Sequence, residues 1–252
     1  MNKHEFAIFF QSIDDFQVDE LIKIDQEQIY HRIIRVLRLQ INDHIILFNK
    51  DINAIAKILS IEKKYLTLCI LNKNNNIKNK PKITMLISVL KREAFQEAIY
   101  SCVETGINVI QPILTHKVHL TKFDQKEFDR FQGVVISAAE QSKNFDFSDF
   151  NKPISFQDLI AQLDKRENVI KIYFDVQGQN ILDVINLILE KSLDKSLEEI
   201  FLMVGPEGDL TQEEKNILKG AQFKFCSLTT TILRAQSAVA LASGIFRSAC
   251  KT

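Results

Sequence analysis

Two phosphate-binding signatures are missing from this chain. No Gly-x-Gly-x-x-Gly follows an apolar run, and no Walker A sequence occurs. Their absence argues against a Rossmann dinucleotide site and against a P-loop NTPase. No apolar run approaches the ~20 residues that a bilayer span needs. The opening Met1-Asn2-Lys3-His4-Glu5 lacks the apolar core of a signal peptide. A soluble, cytoplasmic protein without a membrane partner is expected. Cysteine is sparse: Cys69, Cys102, Cys226 and Cys250 are scattered, with no Cys-x-x-Cys spacing. That favours reduced thiols over disulfides or a zinc site. Tryptophan is absent. No Ser-His-Asp arrangement is legible, so acyl transfer has no positive support. His116-x-x-His119 has a metal-like spacing but no third nearby ligand, and reads as a surface-loop pair. No metal is expected.

What remains is an ordinary globular composition, 46% apolar and 25% charged over 252 residues. The net charge is zero but unevenly placed. Residues 1–27 carry 2 basic and 7 acidic side chains, residues 28–92 carry 13 and 3, and residues 93–252 carry 17 and 22. A block of net +10 inside a neutral chain fits a polyanion, although lysine-rich solvated loops would look the same.

Residues 1–70 alternate in short segments. Strands are expected at Phe6–Phe10, His44–Phe48, Ala54–Leu59 and Tyr65–Ile70, with one helix around Gln26–Arg38. The pattern fits a small β-barrel. Residues 73–82, polar and ending near Pro81, read as a linker. Beyond it, continuous apolar strands alternate with helices. Strands are expected at Ile83–Leu90, Asn108–Thr115, Ile170–Asp175, Phe201–Val204 and Phe223–Leu228. Helices are expected at Lys91–Thr105, closed by Gly106, and at Glu127–Ser142, Asn180–Lys191 and Arg234–Ala249. A further helix opens in a capping box at Thr211–Glu214 and runs to Gly220. This rhythm predicts an α/β domain on a mainly parallel sheet.

Two loops stand out. The strand ending at Val204 stops in Gly205-Pro206-Glu207-Gly208, where proline cannot donate to a ladder and glycine permits close approach. Leu233-Arg234-Ala235-Gln236-Ser237-Ala238 opens a helix rich in small residues. Together they suggest a pocket for a flat, nucleoside-like ligand, built from main-chain groups. The small residues from Ala235 to Gly244 serve either the helix's own core or a dimer interface. Arg32, Arg35 and Arg38 recur every three residues, forming a phosphate-suited cluster on one helix side or a solvated face.

The motifs, in order, resemble one family. His31-Arg32-Ile33-Ile34-Arg35-Val36-Leu37-Arg38-Leu39, Asn42-Asp43 and Ile46-Leu47-Phe48-Asn49 are similar to the N-terminal PUA-like domain of bacterial 16S rRNA uracil-N3 methyltransferases (RsmE type). Lys91-Arg92, Glu104-Thr105-Gly106-Ile107, Ile110-Gln111-Pro112, Ala139-Glu140-Gln141-Ser142, Gly205-Pro206-Glu207-Gly208 and Leu233-Arg234-Ala235 continue the match. The resemblance implies the α/β knot of the SPOUT superfamily: a PUA-like RNA-binding barrel over 1–72, a linker over 73–82, and a methyltransferase domain over 83–252. It further implies a deep C-terminal trefoil knot, a homodimer, S-adenosylmethionine as cofactor and 16S rRNA of the small subunit as partner.

By position, the implied cofactor residues are Met203, Val204, Gly205, Glu207 and Gly208, then Ser227, Leu228 and Thr229, then Leu233, Arg234, Ala235, Ser237 and Ala238. Arg234 and Glu207 carry the implied catalytic roles. Arg32, Arg35, Arg38, Lys91 and Arg92 are the implied RNA contacts. The chain departs from the family pattern at three places. Asp209 replaces a second glycine, Gln236 replaces a carboxylate, and Lys143–Phe150 is aromatic and acidic where a basic stretch is usual, leaving Lys143 as a stand-in. Two rivals stay open at this point: a tRNA ribose 2′-O-methyltransferase of the same superfamily, and an RNA-binding protein without catalysis.

Overall fold

The computed structural model describes residues 5–117, 123–163, 166–193 and 197–250. His119 lies outside them. The chain divides into two units: residues 1–78 with 139–146, and residues 79–138 with 147–252.

The first unit holds strands β1 (Phe6–Phe9) and β2 (Leu21–Ile24), helix α1 (Glu27–His31), and strands β3 (His44–Phe48), β4 (Ile52–Ile61) and β5 (Leu66–Asn75). The strands form one sheet in the order β1-β3-β4-β5-β2, parallel only between β1 and β3. Alternate residues of each strand point inward, as a two-residue period requires. Ile8, Ile22, Ile45, Leu47, Ala54, Ile58 and Leu68 thereby join one core, with Ile33 from the segment after α1.

That segment corrects the expected helix over Gln26–Arg38. The α-helix stops at His31, and Arg32–Val36 forms a π-helical turn in which the Leu37 N–H reaches back five residues to the Arg32 carbonyl (2.9 Å). Arg38 lies past its end at a left-handed φ of 55°. The apolar residues Ile33, Ile34, Leu37 and Leu39 all turn to the core, and meeting that demand breaks the α-helical period. The three arginines therefore do not share one α-helical stripe. The expected linker is also shorter than residues 73–82: Lys73, Asn74 and Asn75 extend β5, and Lys82 opens the next strand.

Within this unit, Glu140 is a buried carboxylate. It accepts from the Phe9 N–H (2.9 Å) and pairs with the guanidinium of Arg32. Burial pushes its carboxyl above the usual value, and the Phe9 hydrogen bond and Arg32 only partly offset that. A raised folded pKa gives stability that is fully present below the unfolded pKa and lost as pH rises through the folded one. Glu140→Gln imitates the protonated form. Its thermal midpoint is therefore expected to gain on that of the unaltered protein as pH rises above ~4, the unfolded carboxylate range. Melting curves from there upward check this, and a pH-independent difference would refute it. The aromatic–acidic stretch after Ser142 also has a structural use. Phe145 packs on Phe48 at 4.9 Å between ring centroids, and its carbonyl accepts from the Asn76 amide (3.2 Å).

The second unit runs β6 (Lys82–Ser88), α2 (Arg92–Thr105), β7 (Val109–Leu114), α3 (Gln125–Ser142), β8 (Asp149–Phe150), β9 (Ile154–Ser155), α4 (Phe156–Leu163), β10 (Val169–Asn180), α5 (Ile181–Leu193), β11 (Glu199–Val204), α6 (Gln212–Gly220), β12 (Lys224–Ser227) and α7 (Ala235–Ala249). The last residues of α3 belong to the first unit. The sheet order is β12-β10-β11-β6-β7-β8, with β9 also on β7, and every pairing is parallel. The expected parallel α/β sheet is what forms.

Both sheet faces are covered, as parallel strands require. Leu86, Tyr173 and Met203 face Leu159 and Leu163 of α4 and Leu218 of α6. Phe174, next to Tyr173, points the opposite way and meets Phe246 of α7 (5.7 Å). The expected Gly106 cap sits at φ 86° behind α2. Buried Arg247 of α7 ties that turn down, donating to the carbonyls of Gly106 (3.0 Å) and Pro81 (3.1 Å) and to Asn108 Oδ1 (2.5 Å).

Candidate active site

In an open parallel sheet, ligands collect beyond the carboxyl ends of the strands. Here β11, β10 and β12 lie side by side, and the segments leaving them enclose a cavity of about 720 Å³. Its walls are Tyr173–Val176 from β10, residues 204–207 and 209 at and after the end of β11, and residues 228, 229, 231–236 and 238 running from β12 into α7. The N-terminus of α7 lies among the lining residues, with Arg234 as its N-cap. The first N–H groups of a helix have no partner within it, so they are available to a ligand acceptor.

Each wall has a local cause. Val204 is the last ladder residue of β11. Pro206 follows, and the Asp209 N–H closes a turn on its carbonyl (2.9 Å). The unusual backbone angle expected of the glycines falls instead on Asp209, at φ 60°. Aspartate tolerates this region better than most side chains, so the departure from the family's glycine is accommodated. Gly205 serves close approach: a Cβ there would sit 3.0 Å from the Tyr173 hydroxyl. The β10 wall is an excursion. Phe174 and Gln179 both pair with Cys226 of β12, so residues 175–178 bulge out between them. At its far end Gly178 lies so near β12 that a Cβ would meet the Phe225 and Cys226 carbonyl carbons at 2.6 Å.

Of the expected cofactor residues, Val204, Gly205, Glu207, Leu228, Thr229, Leu233, Arg234, Ala235 and Ala238 line the cavity. Met203 does not; it is buried in the core beneath. Gly208 turns its carbonyl to the Lys117 ammonium (2.8 Å), the Ser227 hydroxyl donates to the Thr229 carbonyl (2.9 Å), and Ser237 is outside the lining. Sequence reading missed Tyr173, Phe174, Asp175, Val176, Thr231 and Ile232; Asp209 and Gln236, noted there only as departures from the family pattern, also line the cavity. The strand-end rule applied to Ile170–Asp175 would have found the first three.

The expected RNA contacts fall in both units. Arg35 and Arg38 are exposed. Arg32 is engaged by Glu140. Lys143 lies 3.7 Å from Glu5 and at φ 55°. In the second unit, Arg92 makes a two-pronged contact with Glu127 (2.5 and 3.4 Å), and Lys91 reaches Glu207 at the cavity's edge (3.6 Å). Among the described residues no group of three His, Cys, Asp or Glu could hold a metal, and no helix is long and apolar enough to cross a membrane.

Four charged or polar side chains form a chain along two walls. The Tyr173 hydroxyl donates to Asp209 Oδ1 (2.6 Å), and Lys215 of α6 donates to Asp209 Oδ2 (2.6 Å) and to Asp175 Oδ2 (2.7 Å). Burial would raise the Asp209 carboxyl, but Lys215, Tyr173 and the Leu210 N–H outweigh it and hold it below the usual range. Burial would lower Lys215, and the two aspartates more than reverse that. Burial, with the Asp209 contact, pushes the Tyr173 phenol far up. Tyr173 is thus held neutral, and Asp209 and Lys215 charged, at neutral pH.

The chain matches the model of an RNA methyltransferase domain over residues 78–247 and that of an RNA methyltransferase PUA domain over residues 24–71. It is 29% identical over 219 residues to a Rickettsia conorii protein named ribosomal RNA small subunit methyltransferase E, covering 86% of this chain and 85% of that one. It is 24% identical over 238 residues to the Bacillus subtilis protein of the same name, covering 91% of each. Among solved structures, a ribosomal RNA small subunit methyltransferase E from Neisseria gonorrhoeae, bound to S-adenosyl methionine, shares the fold with a TM-score of 0.82 at 24% identity, over 97% of this chain and 98% of that one. A putative methyltransferase from Legionella pneumophila, with the cofactor SAM bound, gives 0.83 at 20% identity over 98% of each. With more than half its length matched, this chain belongs to the RNA methyltransferase domain family.

Proposed function

We propose that this protein transfers a methyl group from S-adenosylmethionine to N3 of a uridine in 16S rRNA. The cavity carries the reading: in an RNA methyltransferase chain, three neighbouring strand ends enclose one site with carboxylates, an arginine and apolar walls. The residues fit the cofactor. About 720 Å³ lies within the ~300–1,000 Å³ usual for small-molecule sites. Glu207 lines it and suits a ligand carrying a sulfonium and an ammonium, while the amides at the start of α7 suit its carboxylate. Val204, Gly205, Leu228, Thr229, Leu233, Ala235 and Ala238 form the apolar and main-chain walls. When bound, S-adenosylmethionine supplies an electrophilic methyl group.

The chain's own work is positioning. N3 of uracil bears a proton and is masked in a duplex, so the site takes an unpaired or extruded uridine. Arg234, at the α7 N-cap on the cavity wall, places positive charge against a uracil carbonyl oxygen as N3 gives up its proton to water. Glu207, paired with Lys91, orients the loop or the base. No metal or covalent nucleophile enters this scheme.

The same reading makes the strands up to Asn75 a PUA-like RNA-binding barrel, residues 76–81 a linker and the chain from Lys82 onward a knotted SPOUT domain acting as a cytoplasmic homodimer. The tight passage of Gly178 beside Phe225 and Cys226 supports one chain segment threading past another. The basic block over residues 28–92, with Arg35, Arg38, Lys91 and Arg92 at its surface, supports phosphate contacts that set register. Mass spectrometry of nucleosides from 16S rRNA of cells with and without the gene tests the function. A uridine methylated at N3 is expected only with the gene. A 2′-O-methylated nucleoside in its place, or no S-adenosylmethionine binding by calorimetry, sinks the reading.

A further inference from the structure

We propose that Lys215, Asp209, Asp175 and Tyr173 act as positioning residues: a latch that couples two cavity walls and holds them in the cofactor-binding shape. The walls leave different strands. One is the excursion that starts at Asp175, between two β10 residues that pair with the same Cys226. The other is the loop from Gly205 to Asp209. A single ammonium joins them, because Lys215 Nζ donates to Asp175 Oδ2 at 2.7 Å and to Asp209 Oδ2 at 2.6 Å. Lys215 itself is anchored on α6, whose capping box (Thr211 with Glu214) fixes its first turn. Tyr173 holds the far end of the second wall and lies close against its near end. Its hydroxyl donates to Asp209 at 2.6 Å and lies 3.0 Å from where a Cβ of Gly205 would be.

The Lys215 side chain is 17% exposed and that of Asp175 10%, so this half of the join is shielded from the water and salt that weaken surface pairs, while the Asp209 side chain, 56% exposed, stands at the cavity side. Asp209 has the contacts of a designed anchor. Three donors meet its carboxylate (Tyr173, Lys215 and its neighbour Leu210 N at 2.7 Å), and it stands at a left-handed φ where a glycine would be relaxed. Aspartate tolerates this angle, so the position carries a side chain that glycine lacks. Its use here is to hold the turn that glycine would leave loose. Ordering the two walls in advance spares the ligand that cost on binding.

The inference rests on the cofactor reading above, and two measurements separate the two. In the ligand-free protein, amide exchange is followed over residues 175–178 and 205–210 for the unaltered chain, Asp209→Gly, Asp209→Asn and Lys215→Met. Asp209→Gly suits the backbone angle and removes only the side chain. Both segments are expected to exchange faster together in Asp209→Gly and Lys215→Met, with Asn intermediate. Faster exchange in one segment alone, or in neither, overturns the latch whatever the ligand proves to be.

Steady-state kinetics with S-adenosylmethionine and 16S rRNA form the second arm. KM for S-adenosylmethionine is expected to rise roughly tenfold in either variant, at the low end of typical coupling between sites, with kcat within about twofold. The double variant is expected to match the single ones, as members of one unit do. Independent, multiplying effects would overturn it. Failure of the unaltered protein to bind S-adenosylmethionine removes the cofactor reading, and the exchange data then decide the latch alone.

Discussion

Replacing Arg234 with alanine is expected to lower turnover by ~10²–10³-fold, the usual loss when one preorganised donor to a developing oxyanion is removed, while S-adenosylmethionine affinity stays within about threefold. The split follows from where Arg234 stands. Its backbone forms the N-cap of α7, and its carbonyl takes the Ala238 N–H (2.9 Å) whatever the side chain is. The alanine variant therefore keeps the α7 N-terminus and the walls from Leu228 to Ala238. What it loses is an exposed guanidinium at the cavity. Charge appears on uracil only as N3 is deprotonated, so the loss falls on the transition state and spares the ground state. Arg234→Lys keeps the charge without the planar fork and is expected to recover only part of the rate. Single-turnover rates beside calorimetric affinities check this. Equal losses in both would assign Arg234 to the cofactor loop alone.

Gly178→Ala is expected to destabilise the second unit by roughly 3 kcal/mol, the upper end for overpacking, which at this size lowers the melting midpoint by about 6–12 °C. The clash would be with the backbone of Phe225 and Cys226. No rotamer change relieves it, and β12 or the 175–178 excursion must move. Gly133→Ala is the control of opposite sign. Gly133 is exposed within α3, with open space around its absent Cβ, so alanine there is expected to add about 1 kcal/mol of helix preference. Calorimetric melting of both variants decides the matter, and an unaltered midpoint for Gly178→Ala would show that the close passage is not enforced.

Much of the second unit was legible because its signals are local. Ile83–Leu90 and Phe201–Val204 are continuous apolar runs, Thr211 and Glu214 form the capping box they spell, and Gly106 takes the left-handed cap. The losses have physical causes. β2 is only four residues between acidic neighbours, and it takes its place from pairing with β5, 44 positions on where Lys23 meets Thr67. α4 was signalled by Phe156, Leu159 and Leu163 on one face, a spacing too short to stand out. The β10 wall depends on β10 lying between β11 and β12, an order no run of residues announces. For Asp209, a glycine-shaped motif led to glycine-borne angles, whereas the turn put the strain on the one carboxylate that could be tied down from three sides.

The position of β6 has a consequence during synthesis. It lies between β7 and β11, and its first pairing on the β11 side joins Lys82 to Glu199, 117 residues later by subtraction. At ~5–20 residues per second, a ribosome needs roughly 6–23 s to deliver that partner. For all that time the nascent chain carries Ile83–Ile87 with one edge unmatched, an apolar template open to any passing strand. Shielding of that one segment at the exit tunnel would therefore matter most in this interval.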